Sequence, residues 1–98
     1  MKTTAMVAGL MLVISNVALA TGDPVAGAEK AKGCASCHGA DGNGNVRLAG
    51  KEFAYLEQQL KDYRSGARSN SMMNMMAAKL SDADIADLAA FFAAQSPK

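Results

Sequence analysis

Apolar residues along this chain fall into three kinds of pattern. From Lys51 to Tyr63, Phe53, Leu56, Leu60 and Tyr63 recur at steps of three and four, which puts them on one face of a helix that Gly66 is placed to end. From Ser81 the spacing of Ile85, Leu88 and Phe92, with Ala89, predicts a second helix. Ser81 and Asp84 form a capping-box-like pair there, and Leu80 and Ile85 occupy the staple positions. Ahead of both, "GDPVAGAEKAKGC" is rich in Ala, Glu and Lys. With Asp23 as N-cap and Pro24 at the first helical position, it predicts about three turns of helix running up to the first cysteine. The glycine- and asparagine-rich stretch 39–50 reads as loop. Between the two helices lies "RSNSMMNMM", polar at first and then dense in methionine. Neither a convincing strand nor an internal repeat is present, so the expected fold class is all-α.

The third pattern lies at the N-terminus. Met1 and Lys2 are followed by the apolar run "AMVAGLMLVISNVALA", which closes on Ala18-Leu19-Ala20. A positive start, a short apolar core and an A-x-A ending make residues 1–20 a cleavable secretory signal peptide, leaving 21–98 as the mature domain. Ser15 and Asn16 interrupt the run before it reaches the roughly 20 apolar residues of a spanning helix. The expected location is therefore the periplasm, with no membrane span in the mature chain.

Composition narrows the picture further. The whole chain carries 10 Lys and Arg against 9 Asp and Glu, a balance that gives no basic stripe for nucleic acid. With no tryptophan, 3 phenylalanines and 2 tyrosines, so short a domain has little to bury. Chains of this size need a staple such as a disulfide, a metal or a cofactor.

"CASCH", residues 34–38, holds both cysteines and the only histidine, and it supports four readings. A structural zinc site needs four ligands, and no second Cys/His cluster exists. A thioredoxin-like dithiol belongs beside a βαβ pattern that is missing here. A Cys34–Cys37 disulfide would close a loop of a few residues, restrain little, and leave His38 unexplained. The fourth reading is the C-x-x-C-H haem attachment motif: Cys34 and Cys37 bind the porphyrin covalently, and His38 is placed beneath it to ligate iron. That reading agrees with export and supplies the missing core. A second axial ligand must then come from elsewhere, and methionine is the obvious soft donor. Met72, Met73, Met75 and Met76 all qualify, and spacing alone does not separate them. As a group they also fit core filler or a Cu(I) site.

The stretches "CASCHGADGNG", "LAGKEFAYLEQQLKDYRSGAR" and "MMNMMAAKLSDADIADLAAFF", in this order, resemble class I c-type cytochromes, closest to the short bacterial domains found singly and in tandem. The resemblance implies three to four helices wrapped around one covalently bound haem c. It implies His38 and Met73 as the axial pair, since the ligand in similar domains lies seven residues before the Leu-Ser of the last helix, with Met76 as runner-up. It also implies a crossing of first and last helices through Gly27 or Ala28 and Phe91 or Phe92, and a pocket lined by Tyr55, Leu56 and Leu60. Two departures stand out. The loop after the motif looks about four residues short, with Val46 in place of the proline whose carbonyl supports the histidine, and Lys51 replaces a usual glutamine. The expected function is one-electron transfer, not enzymatic, between exported or membrane-bound redox proteins, by a monomer or a subunit of a redox complex. The alternative is a haem enzyme or small-ligand-binding protein with a labile methionine. Lys30, Lys32, Lys51, Lys61 and Arg64 are candidates for a weak basic docking face.

Overall fold

A computed structural model describes residues 22–98; the signal-peptide reading of residues 1–20 lies outside them. All described secondary structure is helical, as expected. Residues 24–38 form one nearly unbroken run: α1 (Pro24–Lys30), a 3-10 segment (Ala31–Cys34) and α2 (Ala35–His38). After the loop come α3 (Phe53–Ser65), α4 (Ser71–Ala77) and α5 (Asp82–Ala93).

The ends of these helices follow from identifiable residues. Asp23 accepts a hydrogen bond from the Val25 N–H, with Pro24 behind it in the first turn. Gly66 takes the left-handed conformation, φ 88°, that closes α3. Ser81 and Asp84 complete both bonds of a capping box at the start of α5. The methionine-dense stretch, to which spacing assigns no element, forms a helix, α4. Its N-cap is Asn70, whose side chain accepts from the Met73 N–H at 3.0 Å.

The terminal helices cross closely. A Cβ on Gly27 would lie 2.0 Å from the Asp87 carbonyl oxygen and 2.8 Å from the Phe91 Cβ, so of the expected contact pairs Gly27 and Phe91 are the ones that meet. Asp87 clasps both ends of α1: Oδ1 accepts from the Asp23 N–H at 2.8 Å and Oδ2 from Lys30 Nζ at 2.6 Å. Lys30 also reaches Asp84 at 2.9 Å. Behind the crossing, Leu56 of α3 joins Leu88, Ala89 and Phe92 of α5 and Ala31 in the core. Of the eight buried apolar residues among those described, four are alanine, so the polypeptide contributes a thin core.

Candidate haem site

The motif residues sit where the first helical run meets the loop. Cys34 closes the 3-10 segment half-buried, Cys37 is exposed, and no disulfide joins them. Burial pushes the Cys34 thiol above its ordinary value. His38, last in α2, is the one buried polar side chain among the described residues, 8% exposed. Its Nδ1 lies 2.8 Å from the Val46 carbonyl oxygen. A carbonyl can only accept, so Nδ1 carries the proton and Nε2 keeps its lone pair for a metal. The valine carbonyl thus makes the support bond without proline.

Short-range backbone bonds hold Val46 in place. Gly44 N–H donates to His38 O at 2.7 Å, and both Leu48 and Ala49 N–H donate to Gly42 O, at 2.8 and 3.0 Å. Gly42 has φ 80°, and a Cβ there would lie 2.9 Å from Ala49 N and from the Phe92 ring, so the turn needs glycine. The C-terminal residues strap the loop from outside. Asn43 donates to Ser96 O and accepts from Lys98 N–H, and Lys98 Nζ pairs with Asp41 at 2.9 Å.

Facing these residues is a cleft of two adjoining lobes, about 320 and 160 Å³. Both lobes are lined by Cys34, Cys37, His38, Met72, Met73, Leu60 and Leu88. Tyr55 and Leu56 line the larger lobe with Leu48 and Phe92, and Met76 lines the smaller. Three of the five exposed large apolar side chains among the described residues, Val46, Tyr55 and Met72, open onto the larger lobe. Met75, 63% exposed, lines neither. The structure therefore brings Cys34, Cys37, His38 and Met73 to one cleft, with Met72 and Met76 beside them, and sets Met75 aside.

The cleft also holds groups that sequence reasoning did not single out. Arg47 and Arg68 line the larger lobe with Lys51, and no Asp or Glu lines either lobe. Lys51 Nζ stands 5.8 Å from the Tyr55 ring centroid, and the Arg68 guanidinium 5.3 Å from that of Tyr63. Arg68 is further held by Gln59 Oε1. Of the five candidate docking cations, Lys30, Lys32, Lys61 and Arg64 are each ion-paired to a carboxylate of this chain. That leaves Lys51 as the member without such a pair among the described residues, so the five do not make a free basic face.

These residues fit a haem. An apolar cleft takes the ring, two thiols stand one helical turn apart at its edge, and an imidazole with a fixed tautomer and a thioether line it. Cations without acids suit the carboxylates that a haem carries. Among the described residues no three His, Cys, Asp or Glu side chains converge as a metal-ion site. With no strand among the described residues there is also no βαβ setting for a thioredoxin-like dithiol.

Comparison with known proteins agrees. The family model described as cytochrome c matches residues 25–96. Cytochrome c4 of Pseudomonas aeruginosa is 43% identical over 90 residues, which cover 88% of this chain and 45% of that protein. Cytochrome c-554(548) of Halomonas halodenitrificans is 43% identical over 81 residues, 76% of this chain and 98% of that one. The crystal structure of reduced recombinant cytochrome c4 from Pseudomonas stutzeri superposes with a TM-score of 0.74 at 37% identity, covering 79% of this chain and 47% of its own. The chain thus spans about half the length of the cytochrome c4 proteins it matches and nearly all of the shorter relative. By the span of that match and these identities, the chain belongs to the cytochrome c family.

Proposed function

We propose that this protein is a periplasmic one-electron carrier, a monohaem c-type cytochrome with His38 and Met73 as axial ligands and thioether bonds from Cys34 and Cys37. The observation that carries the reading is the meeting of His38 and Met73 in one apolar, cation-lined cleft beside both thiols. Bound there, the haem supplies a one-electron Fe(III)/Fe(II) couple.

Everything else is work for the chain. Val46 O holds the His38 Nδ1 proton, which orients the ring and leaves the Nε2 lone pair for a metal. Asn70 holds the Met73 backbone in the first turn of α4. Leu56, Leu60, Leu88 and Phe92 keep water from the apolar ring. Arg47, Lys51 and Arg68 place positive charge around the cleft, which favours the reduced state of the site. With two protein ligands, no iron position is left for a substrate, hence a carrier and not an enzyme.

The expected partners are exported or membrane-bound redox proteins, reached as a free monomer or within a redox complex. No described helix is long and apolar enough to cross a membrane. The C-x-x-C-H chemistry and the leader-like residues 1–20 both point to export.

The test is Met73→Ala in protein expressed with its leader, against Met76→Ala. Wild type and M76A should show the weak near-infrared sulfur–iron absorption of the ferric form and exclude carbon monoxide in the ferrous form. M73A should lose the absorption and bind carbon monoxide. If wild type binds carbon monoxide readily at neutral pH, the carrier reading fails and a ligand-binding haem protein takes its place.

A further inference from the structure

The helix that carries Met73 is seven residues long, too short to hold its place by its own hydrogen bonds. Beside the burial of Ala77, one side chain ties it to its neighbours by hydrogen bonds. Asn74, half-buried at the fourth position of α4, uses every hydrogen-bonding group of its amide. Nδ2 donates to Tyr63 O at 2.8 Å, near the end of α3, and to Arg68 O at 2.9 Å, in the connection. Oδ1 accepts from the Asn70 N–H at 2.9 Å. Asn70 Oδ1 in turn accepts from the Met73 N–H. The amide therefore joins the end of α3, the connection and the first turn of α4 into one closed unit. The last of these bonds ends on the residue that presents the thioether.

We propose that Asn74 is the positioning residue for the methionine ligand: its two donated hydrogen bonds set α4 against α3 so that Met73 faces His38 across the cleft. This rests on the His38/Met73 reading above. Without those bonds α4 keeps its N-cap, since Asn70 Oδ1 is untouched, but loses the tie that fixes where the capped turn sits. Each of the two bonds is worth roughly fivefold in an equilibrium. Losing both shifts the balance between ligand-presenting and displaced arrangements of α4 by roughly 25-fold toward displacement.

Two substitutions separate the parts of the amide. Asn74→Ala removes all three bonds. Asn74→Asp keeps an acceptor for the Asn70 N–H but turns a carboxylate toward two carbonyl oxygens. Ser81→Ala is the control, because it removes the cap of α5 and lowers stability without touching α4. The ferric near-infrared absorption per haem, carbon monoxide uptake by the ferrous form, midpoint potential and amide exchange of Asn70 are measured for all three and for M73A.

The expected result is that N74A and N74D both have weaker absorption than wild type, take up carbon monoxide more readily and fall in potential. N74D should keep the Asn70 amide protected and N74A should not, while S81A should lower the unfolding midpoint with the spectrum and potential of wild type. The proposal is overturned if N74D retains the wild-type absorption and potential. It is equally overturned if S81A loses the absorption as far as N74D does, since loss of stability alone then accounts for the effect. An M73A protein that keeps the absorption shows instead that the ligand assignment has failed, and the role of Asn74 falls with it.

Discussion

Replacing Gly27 by alanine sets two effects of opposite sign against each other. Gly27 lies inside α1, and on propensity alone the change should stabilise the helix by about 1 kcal/mol. The crossing with α5 opposes it. The new methyl would lie 2.0 Å from Asp87 O, where real Cβ contacts stay beyond 3.0 Å, so the two backbones must part by about 1 Å. No side-chain rotamer can relieve a clash with a carbonyl. The separation also stretches the bonds by which Asp87 holds Asp23 and Lys30. Overpacking costs about 1–3 kcal/mol, and a backbone-to-backbone clash belongs at the upper end, about 3 kcal/mol. The net is about 2 kcal/mol of destabilisation. At about 4–8 °C per kcal/mol for a domain of this size, G27A should melt about 8–16 °C below wild type. Thermal unfolding of the haem-loaded proteins by far-ultraviolet circular dichroism, in one redox state, measures it. A variant melting at or above the wild-type temperature would refute the close crossing.

Two further outcomes are expected. Asp84 is held down to about 2, chiefly by Lys30 and then by the Ser81 N–H, and Asp87 is held down by the same lysine and the Asp23 N–H. Folded values below the unfolded one mean stability present above about pH 4 and lost as pH falls from there toward 2; urea midpoints should fall over that window, and less steeply in Lys30→Ala. Equal slopes in the two proteins would count against the Lys30 clasp. Asn43→Ala removes two bonds to the C-terminal strap and should cost about 1–2 kcal/mol, with faster amide exchange in residues 39–50 and an unchanged near-infrared absorption.

Much of this molecule is legible in its sequence where short-range physics decides. Phe53, Leu56 and Leu60 announce α3 by spacing, and Ser81 with Asp84 announces the start of α5, because a helix period and a cap are local properties. Helix α4 is not legible in the same way. Ser-Met-Met-Asn-Met-Met shows no contrast between faces, and its cap, Asn70, is a residue that signals loops equally well. For the same reason Asn74 carries no visible signal: its partners are backbone carbonyls 11 and 6 residues away. The support of His38 leaves no trace in side-chain identity, since any residue's carbonyl can accept; only the family resemblance points to position 46, where the valine carbonyl makes the bond. The lysines show the opposite limit. Lys30 reads as a surface charge until the fold brings Asp87, 57 residues away, against it.

The clasp at the helix crossing also bears on how the chain assembles. Val46 is held to His38 across 8 residues, and Asn74 to Tyr63 across 11, so each half of the site closes through contacts near in sequence. The halves are joined by α1 meeting α5, with Asp87 bonded to residues 57 and 64 positions away, and by the C-terminal strap on Asn43, 53 and 55 positions away. Closing about sixty residues costs about 1.6 kcal/mol more chain entropy than closing about ten. The search cost of folding therefore falls on bringing the last helix and the C-terminal strap against the first half, and both ligand-bearing halves can form before that.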